Sequence, residues 1–184
     1  MAAQAQVREA MLAAVPSLRA FAISLCRNTD RADDLVQETL MRAWAHIDSF
    51  QPGTNMSAWL FTILRNLFRS EYRKRHREVE DVTGAYTDSL TSLPEQTGNL
   101  ELKEFRRALN DLPDDQREAL VLVGASGFSY EEAAQIAGCA VGTVKSRVNR
   151  ARNRLARVLA INPGEDFGPD RETLAVISNN SETK

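Results

Sequence analysis

Apolar residues in the first half of this chain recur at intervals of three and four, which is the spacing of an amphipathic helix. The spacing predicts helices on both sides of Pro16, which opens a second segment or bends the first. It also predicts a third helix over about residues 31–49 and a fourth from about residue 57 past residue 73. No segment alternates with period two over a useful length, so we predict no sheet.

The second half continues the helical pattern. An apolar stripe runs from Leu102 to Leu112, and Pro113 suits the first turn of the helix that follows it. Residues 78–100 between the two halves are rich in Thr, Ser, Gly, Asp and Glu, and they cannot bury enough surface to offset the entropy of ordering. The predicted fold class is therefore all-α, with two small helical domains, 1–77 and 101–160, joined by a flexible linker. The polar tail 161–184 is assigned no firm structure.

A helix-turn-helix is predicted over residues 129–159. Ser129 and Glu132 have the spacing of a capping box, and Gly138 suits the turn. Residues 143–157 carry six Lys or Arg and no acid. A solvated surface helix usually mixes both signs, so the pattern favours DNA binding. The inward face predicted for the last helix consists of Val144, Val148, Ala151, Leu155 and Val158.

The fourth predicted helix interleaves aromatic residues with cations. Trp59 and Phe68 are predicted to lie in the core, whereas Phe61 and Tyr72 are assigned no definite place. Aromatic rings beside cations can also stack unpaired bases, and the loop before this helix, at Asn55, could take up an extruded base. Composition alone leaves this strand-capture interpretation as the lesser alternative.

The third predicted helix carries Asp34, Gln37, Glu38 and Met41 on the side away from its apolar stripe, which includes Trp44. This side is either an acidic solvated face or a docking surface for a protein. Composition does not choose between the two.

Composition limits the remaining possibilities. The chain has 184 residues and a net charge of -2, which conceals separate basic and acidic patches. Cys26 and Cys139 form no disulfide framework or zinc motif, and a reduced cytoplasmic setting is expected. We expect no signal peptide, no window near the roughly 18 apolar residues of a membrane span, and no cofactor. No nucleophile–base pair, phosphate loop or metal cluster is apparent, so we predict no enzyme.

Three segments then carry a family resemblance. They are DDLVQETLMRAW (33–44), FQPGTNMSAWLFTILRNLFRSEYRKR (50–75) and the segment 112–155, which includes LPDDQREALVL and GFSYEEAAQIAGCAVGTVKSRVNRARNRL. Together they resemble the extracytoplasmic-function (ECF, group 4) sigma factors of the sigma-70 family. More loosely, the chain resembles the alphaproteobacterial general-stress-response (EcfG-like) branch.

The resemblance implies roles for each part of the chain. Residues 1–77 would be sigma region 2, residues 101–160 sigma region 4, and the chain would direct promoter-specific initiation of transcription. Its partners would be core RNA polymerase and promoter DNA, and the polymerase would be bound through the clamp helices of its β′ subunit. A third partner would be a small NepR-like anti-sigma factor, which a response regulator removes. No membrane partner is expected.

The resemblance also implies three sets of site residues. The contacts with core polymerase would be Asp34, Gln37, Glu38 and Arg42. The contacts with the −10 element would be Asn55, Arg65, Asn66, Arg69 and Arg73. The contacts with the −35 element would be Thr143, Lys145, Ser146, Arg147, Asn149 and Arg150.

Two other functions are weighed against this one. A decoy that mimics a sigma factor and binds only the anti-sigma factor would have eroded basic helices. A helix-turn-helix repressor would have a dimerisation helix or ligand pocket and no reason for an Arg-aromatic segment. The chain keeps Arg150 and its cationic neighbours, which disfavours the decoy, and it has an Arg-aromatic segment, which disfavours the repressor. Transcription with purified core polymerase separates the three functions.

Overall fold

The computed structural model describes residues 2–80 and 100–160, and over these residues the protein is helical and contains no strand. The predicted all-α class is therefore confirmed. Most of the predicted linker and the whole tail 161–184 lie outside the described residues. The helices are α1 (Ala2–Cys26), α2 (Thr29–Ala45), α3 (Met56–Glu80), α4 (Leu100–Asn110), α5 (Asp114–Leu120), α6 (Tyr130–Ala137) and α7 (Val141–Val158), with a 3-10 turn at Ile47–Ser49 and a π-helical turn at Val121–Ala125.

Helix α1 runs unbroken through Pro16, whereas the sequence predicted a break or bend there. Pro16 removes one backbone donor from the helix, but Leu18, Phe21 and Ala22 just beyond it are fully buried. Burial of this face against α2 and α3 outweighs the lost hydrogen bond.

The same helix corrects the expectation about membrane spans. Gln6–Cys26 is long and apolar enough to cross a membrane by length and composition, with a mean hydropathy of 1.4. The core helix of a soluble protein passes the same test. Here the contacts of α1 with α2 and α3 account for its apolar face.

Helices α1, α2 and α3 form a three-helix unit. Asn28 begins α2, since its side-chain oxygen accepts from the backbone N–H of Arg31 (2.9 Å). Thr39 is fully buried on the inward face of α2 and donates to the carbonyl of Leu35 (2.7 Å). Trp44, which the sequence placed in the apolar stripe, is instead 54% exposed. It follows the buried Ala43 by one residue, which turns its side chain about 100° away from the core.

Helices α4 to α7 form the second unit. The predicted capping box is confirmed: Ser129 Oγ accepts from the backbone N–H of Glu132 (3.1 Å), and Glu132 accepts from that of Ser129 (2.9 Å). Gly138 ends α6 with a φ of 58°, a conformation that glycine adopts without strain. The predicted inward face of α7 is buried as far as Leu155, but Val158 is 58% exposed, and Leu159 packs in its place against the cluster of Ala108, Leu112, Ala151 and Leu155.

The two units pack against each other. One apolar cluster includes residues from α1, α2, α3, α6 and α7, so the larger core belongs to both halves of the chain. At its centre the ring of Phe61 lies 5.0 Å from that of Phe21 and 4.8 Å from that of Phe128, measured between centroids. Across the boundary between the two units, α3 packs on α6 and α1 packs on α5. The chain is therefore in a closed arrangement.

Candidate nucleic-acid and polymerase interface

The exposed side of α7 carries the residues predicted to contact the −35 element. Thr143, Lys145, Asn149 and Arg150 are exposed, and no acidic residue occurs in the helix. Because α7 contains no carboxylate that could neutralise its cations, this side of the helix presents positively charged hydrogen-bond donors to a polyanion. Lys145 Nζ lies 5.6 Å from the centroid of the Tyr130 ring, a cation–π contact that orients it.

Ser146 and Arg147 are half-buried on the edge of this surface. Arg147 Nε lies 3.0 Å from a carboxylate oxygen of Asp115, and one of its terminal nitrogens lies 3.7 Å from Cys139 Sγ. Arg147 is therefore held by α5 and by the turn between α6 and α7, unlike the freely exposed Asn149 and Arg150.

Helix α3 brings together three of the five residues predicted to contact the −10 element. Asn66, Arg69 and Arg73 are exposed and follow each other at intervals of three and four, so they lie on one side of the helix. Asn55 precedes α3 and caps it, since its side-chain oxygen accepts from the backbone N–H of Ala58 (3.2 Å).

Arg65 is separated from this exposed group. It is 4% exposed and forms an ion pair with Glu118 of α5, which is 6% exposed. Arg69, at 3.8 Å, is the second cation near Glu118. In the closed arrangement Arg65 has no path to a nucleotide.

The structure also places the four aromatic residues of α3. Phe61 is fully buried, so it belongs to the core and cannot stack on a base. Trp59 and Phe68 are partly buried against the larger cluster, in agreement with the prediction. Tyr72 is 49% exposed, and its ring centroid lies 6.4 Å from that of Phe68. Only Tyr72 among the four is exposed enough to meet a base.

The outer side of α2 carries the residues predicted to contact core polymerase. Asp34, Gln37 and Arg42 are exposed, and Glu38 is half-exposed and pairs with Arg42 (2.7 Å). Met41 on the same side is 61% exposed. Together with the exposed Trp44, it adds apolar area to an otherwise charged surface, a mixture typical of protein interfaces. Sequence reasoning missed the contribution of Trp44 because helical spacing alone assigned it to the core.

Glu132 and Arg117 have perturbed acid–base properties. The pKa of Glu132 is lowered, first by the hydrogen bond from the Ser129 backbone and then by one from the Asn55 side chain. The pKa of Arg117 is lowered, mainly because burial disfavours its charge. Sequence reasoning missed the contacts of Glu118 with Arg65 and of Arg117 with Ser24, since these partners lie in the other half of the chain.

Comparison with known proteins identifies both halves. A family model described as Sigma-70 region 2 matches residues 11–78, and one described as Sigma-70, region 4 matches residues 102–155. Among residues 2–80 and 100–160, no group of three or more His, Cys, Asp or Glu could hold a metal ion.

Individual relatives agree with the family models. The ECF RNA polymerase sigma factor EcfG of Rhodopseudomonas palustris (strain TIE-1) is 70% identical over 174 residues, which cover 95% of this chain and 96% of that protein. The ECF RNA polymerase sigma factor SigM of Bacillus subtilis (strain 168) is 35% identical over 139 residues, which cover 73% and 83%. Among solved structures, the sigma factor RpoE of Bartonella quintana, in complex with the anti-sigma factor NepR, matches with a TM-score of 0.76 and 58% identity, covering 84% of this chain and 97% of that one.

Proposed function

The chain belongs to the ECF sigma factors of the sigma-70 family, in the EcfG-like branch, and we propose how its residues divide the work of that function. A sigma factor directs promoter-specific initiation of transcription and catalyses no reaction itself. We assign region 2 to residues 1–77, the linker to 78–100 and region 4 to 101–160. The tail 161–184 is assigned no role.

Region 4 reads the −35 element as duplex. The observation that carries this proposal is the exposed side of α7, which bears cations and amides without a single acid. Arg150 and Asn149 supply donors for base edges, and Lys145, Ser146, Arg147 and Thr143 supply contacts that position the helix on the phosphates.

Region 2 captures the −10 element as a separated strand. Asn66, Arg69 and Arg73 form a row of donors along α3, and the exposed Tyr72 lies beside them. Such a row can hold a backbone while an aromatic ring stacks on a base. Asn55 and Arg65 belong to the same site, but both are held by region 4 in the closed arrangement.

Core polymerase binds the outer side of α2. Asp34, Gln37, Glu38 and Arg42 form its charged part, and the exposed Trp44 adds an aromatic anchor. The clamp helices of the β′ subunit are the partner that the family resemblance implies. Binding of core polymerase fixes the distance between regions 2 and 4 and converts two weak DNA sites into one strong site.

Control of this sigma factor is assigned to a small NepR-like anti-sigma factor. The support is the 58% identity with the RpoE of B. quintana, which was solved in complex with NepR. By the same reasoning we propose a role in a stress response and a cytoplasmic location, where RNA polymerase and promoters are found.

The proposal is tested by run-off transcription with purified core polymerase. The wild-type chain should initiate RNA from a promoter selected from random DNA, whereas a decoy or a repressor should not. Charge reversal at Asp34 and Glu38 together should abolish co-purification with core polymerase and leave the helical content unchanged. Glu104→Lys is the control, because Glu104 is exposed on α4 and outside the proposed docking side. Retained co-purification of the double variant would refute the docking surface.

A further inference from the structure

The first turns of α4 carry large apolar side chains that are left uncovered. The helix has an apolar residue at intervals of three and four: Leu102, Phe105, Leu109 and Leu112. This spacing places all four on one side of α4. Leu112 is buried, and Leu109 packs against the smaller apolar cluster. Leu102 is 52% exposed and Phe105 is 39% exposed, and neither joins an apolar cluster formed by residues 2–80 and 100–160. We call these two side chains the α4 patch.

The chain leaves region 4 close to this side of α4. Leu159, the C-cap of α7, packs against the cluster that contains Leu112. Ala160 then has a φ of 51°, the left-handed conformation that redirects a chain at the end of a helix. The Cβ of an alanine is crowded in this conformation, which persists where the surrounding structure over-determines it. The tail 161–184, which lies outside the described residues, therefore starts beside the apolar side of α4.

The amino-acid sequence of the tail contains one apolar run. Residues 174–177 read LAVI, and the other large apolar residues of the tail, Ile161 and Phe167, stand singly. Leu174 and Ile177 are three residues apart, so in a helical turn they lie on one side. Leu102 and Phe105 have the same spacing on α4. The run therefore supplies two apolar side chains at the interval that the α4 patch presents.

The chain between α7 and this run is long enough to reach the patch. Thirteen residues separate Ala160 from Leu174. An unstructured chain of this length spans about 20 Å on average and at most about 45 Å. Helix α4, with 11 residues, is about 16 Å long. Both residues of the patch are within reach, and the tether gives even a weak contact an effective concentration of about millimolar.

Charge favours the same contact. Helix α4 carries three basic and two acidic residues, and Arg106 and Arg107 directly follow Phe105. The tail 161–184 has five acidic and two basic residues, and Asp170 and Glu172 stand just before the apolar run. Opposite net charges draw the tail towards α4, and the apolar side chains determine where it binds.

We propose that residues 174–177 of the tail pack on the α4 patch and complete the apolar side of α4 from within the chain. The patch is then closed to other proteins while the tail is bound. This inference is independent of the proposed contacts with DNA and core polymerase, because it concerns neither α2, α3 nor the exposed side of α7.

Hydrogen–deuterium exchange of the full chain, followed by mass spectrometry, tests the proposal. In the wild-type chain, residues 173–178 should exchange about fivefold or more slowly than a synthetic peptide of the same residues. The double variant Leu174→Ser/Ile177→Ser should lose this protection relative to its own peptide, and residues 104–107 of α4 should then exchange faster. The matched control is Leu90→Ser/Leu93→Ser, which removes two leucines from the linker and should change neither segment.

A substitution in the patch tests the contact from the other side. Phe105→Ser should release residues 173–178 to the exchange rate of the synthetic peptide. Because Phe105 is partly exposed, we expect this variant to keep its helical content in circular dichroism. If it does not fold, the result for the double tail variant decides, since that variant changes no residue of α4.

Three outcomes would overturn the proposal. Exchange of residues 173–178 in the wild-type chain at the rate of the synthetic peptide would show that the tail does not bind. Faster exchange of residues 104–107 in the linker variant, and not in the tail variant, would identify the linker as the segment that covers the patch. Protection that appears only at concentrations where sedimentation equilibrium detects a dimer would assign the patch to a second copy of the chain.

Discussion

Replacement of Arg117 by methionine tests how regions 2 and 4 are held together. Arg117 is 1% exposed, and its guanidinium donates to the carbonyl oxygens of Ser24 (2.7 Å) and Leu112 (3.1 Å) and to the carboxylate of Asp114 (2.7 Å). These acceptors come from the ends of α1 and α4 and the start of α5. We expect Arg117→Met to lower the free energy of unfolding by about 3 kcal/mol, within the range for removing one partner of a buried polar network.

Opposing effects determine this magnitude. Each hydrogen bond from a charged donor contributes roughly 1.5–3 kcal/mol, so the two shorter bonds to carbonyls, those of Ser24 and Leu112, contribute roughly 3–6 kcal/mol. The ion pair with the exposed Asp114 adds less than about 1 kcal/mol. Two effects of the substitution stabilise the folded variant. The cost of desolvating the guanidinium charge is no longer incurred, and burial of the apolar methionine side chain contributes about 2 kcal/mol. The substitution remains unfavourable because the carbonyls of Ser24 and Leu112 lose their donor at a cost of about 1–3 kcal/mol each.

Urea unfolding of the full chain measures the change. Both tryptophans lie in region 2, so their fluorescence reports on that half, while far-UV circular dichroism reports on both. Coincident transitions are expected in the wild-type chain, because the larger core belongs to both halves. Arg154→Met is the matched control: this exposed arginine on α7 should change the stability by no more than about 0.5 kcal/mol. A methionine variant at least as stable as wild type would show that desolvation of the guanidinium outweighs its contacts, and the reasoning would be wrong.

Three further predictions concern single side chains. Arg150→Ala should weaken holoenzyme binding by about 1–3 kcal/mol at the −35 element and relax sequence preference there, as measured by competition between promoter variants. Glu132→Ala should lower the free energy of unfolding by about 1 kcal/mol at neutral pH. Because the folded pKa of Glu132 is lowered, its contribution is present above the unfolded pKa, and the effect should shrink as the pH falls through the folded value in a urea series. Cys26 should react with iodoacetamide roughly a hundredfold more slowly than an unfolded thiol at about pH 8, because burial raises its pKa to about 11 and only the thiolate reacts. The rate is measured by mass spectrometry on a Cys139→Ser variant, in which Cys26 is the one remaining cysteine.

Each prediction has an outcome that contradicts it. An equal loss on every DNA sequence would make Arg150 a phosphate contact, and Arg152→Ala provides the exposed comparison on the same helix. Glu131 lies in the same turn of α6 as Glu132. If Glu131→Ala lowers the free energy of unfolding as much as Glu132→Ala does, the effect comes from the helix dipole and not from the capping box. Alkylation of Cys26 at the rate of the unfolded chain would show that its surroundings open freely.

The helix-turn-helix could be predicted in detail from sequence, because its signals are local. Capping by Ser129 and Glu132, the turn at Gly138 and the cations of α7 all depend on residues within one or two helical turns of each other. Helical periodicity was less reliable at the ends of helices. It assigned Trp44 and Val158 to the core, but both are exposed, because Ala43 and Leu159, one residue away, face the core in their place. Pro16 was misjudged for a related reason, since burial of the neighbouring residues outweighs a local breaking signal.

The amino-acid sequence by itself determined that the chain is helical, that basic residues are concentrated on two of its helices, and that the second of these helices ends a helix-turn-helix. Only the tertiary structure decided that Arg65 is buried against Glu118, that Arg117 reaches Ser24 and that Phe61 meets Phe128. The physical reason is distance along the chain: Arg65 and Glu118 are 53 residues apart, and Arg117 and Ser24 are 93 residues apart. Periodicity and capping act over a few residues, whereas these contacts depend on how two complete helical units pack together.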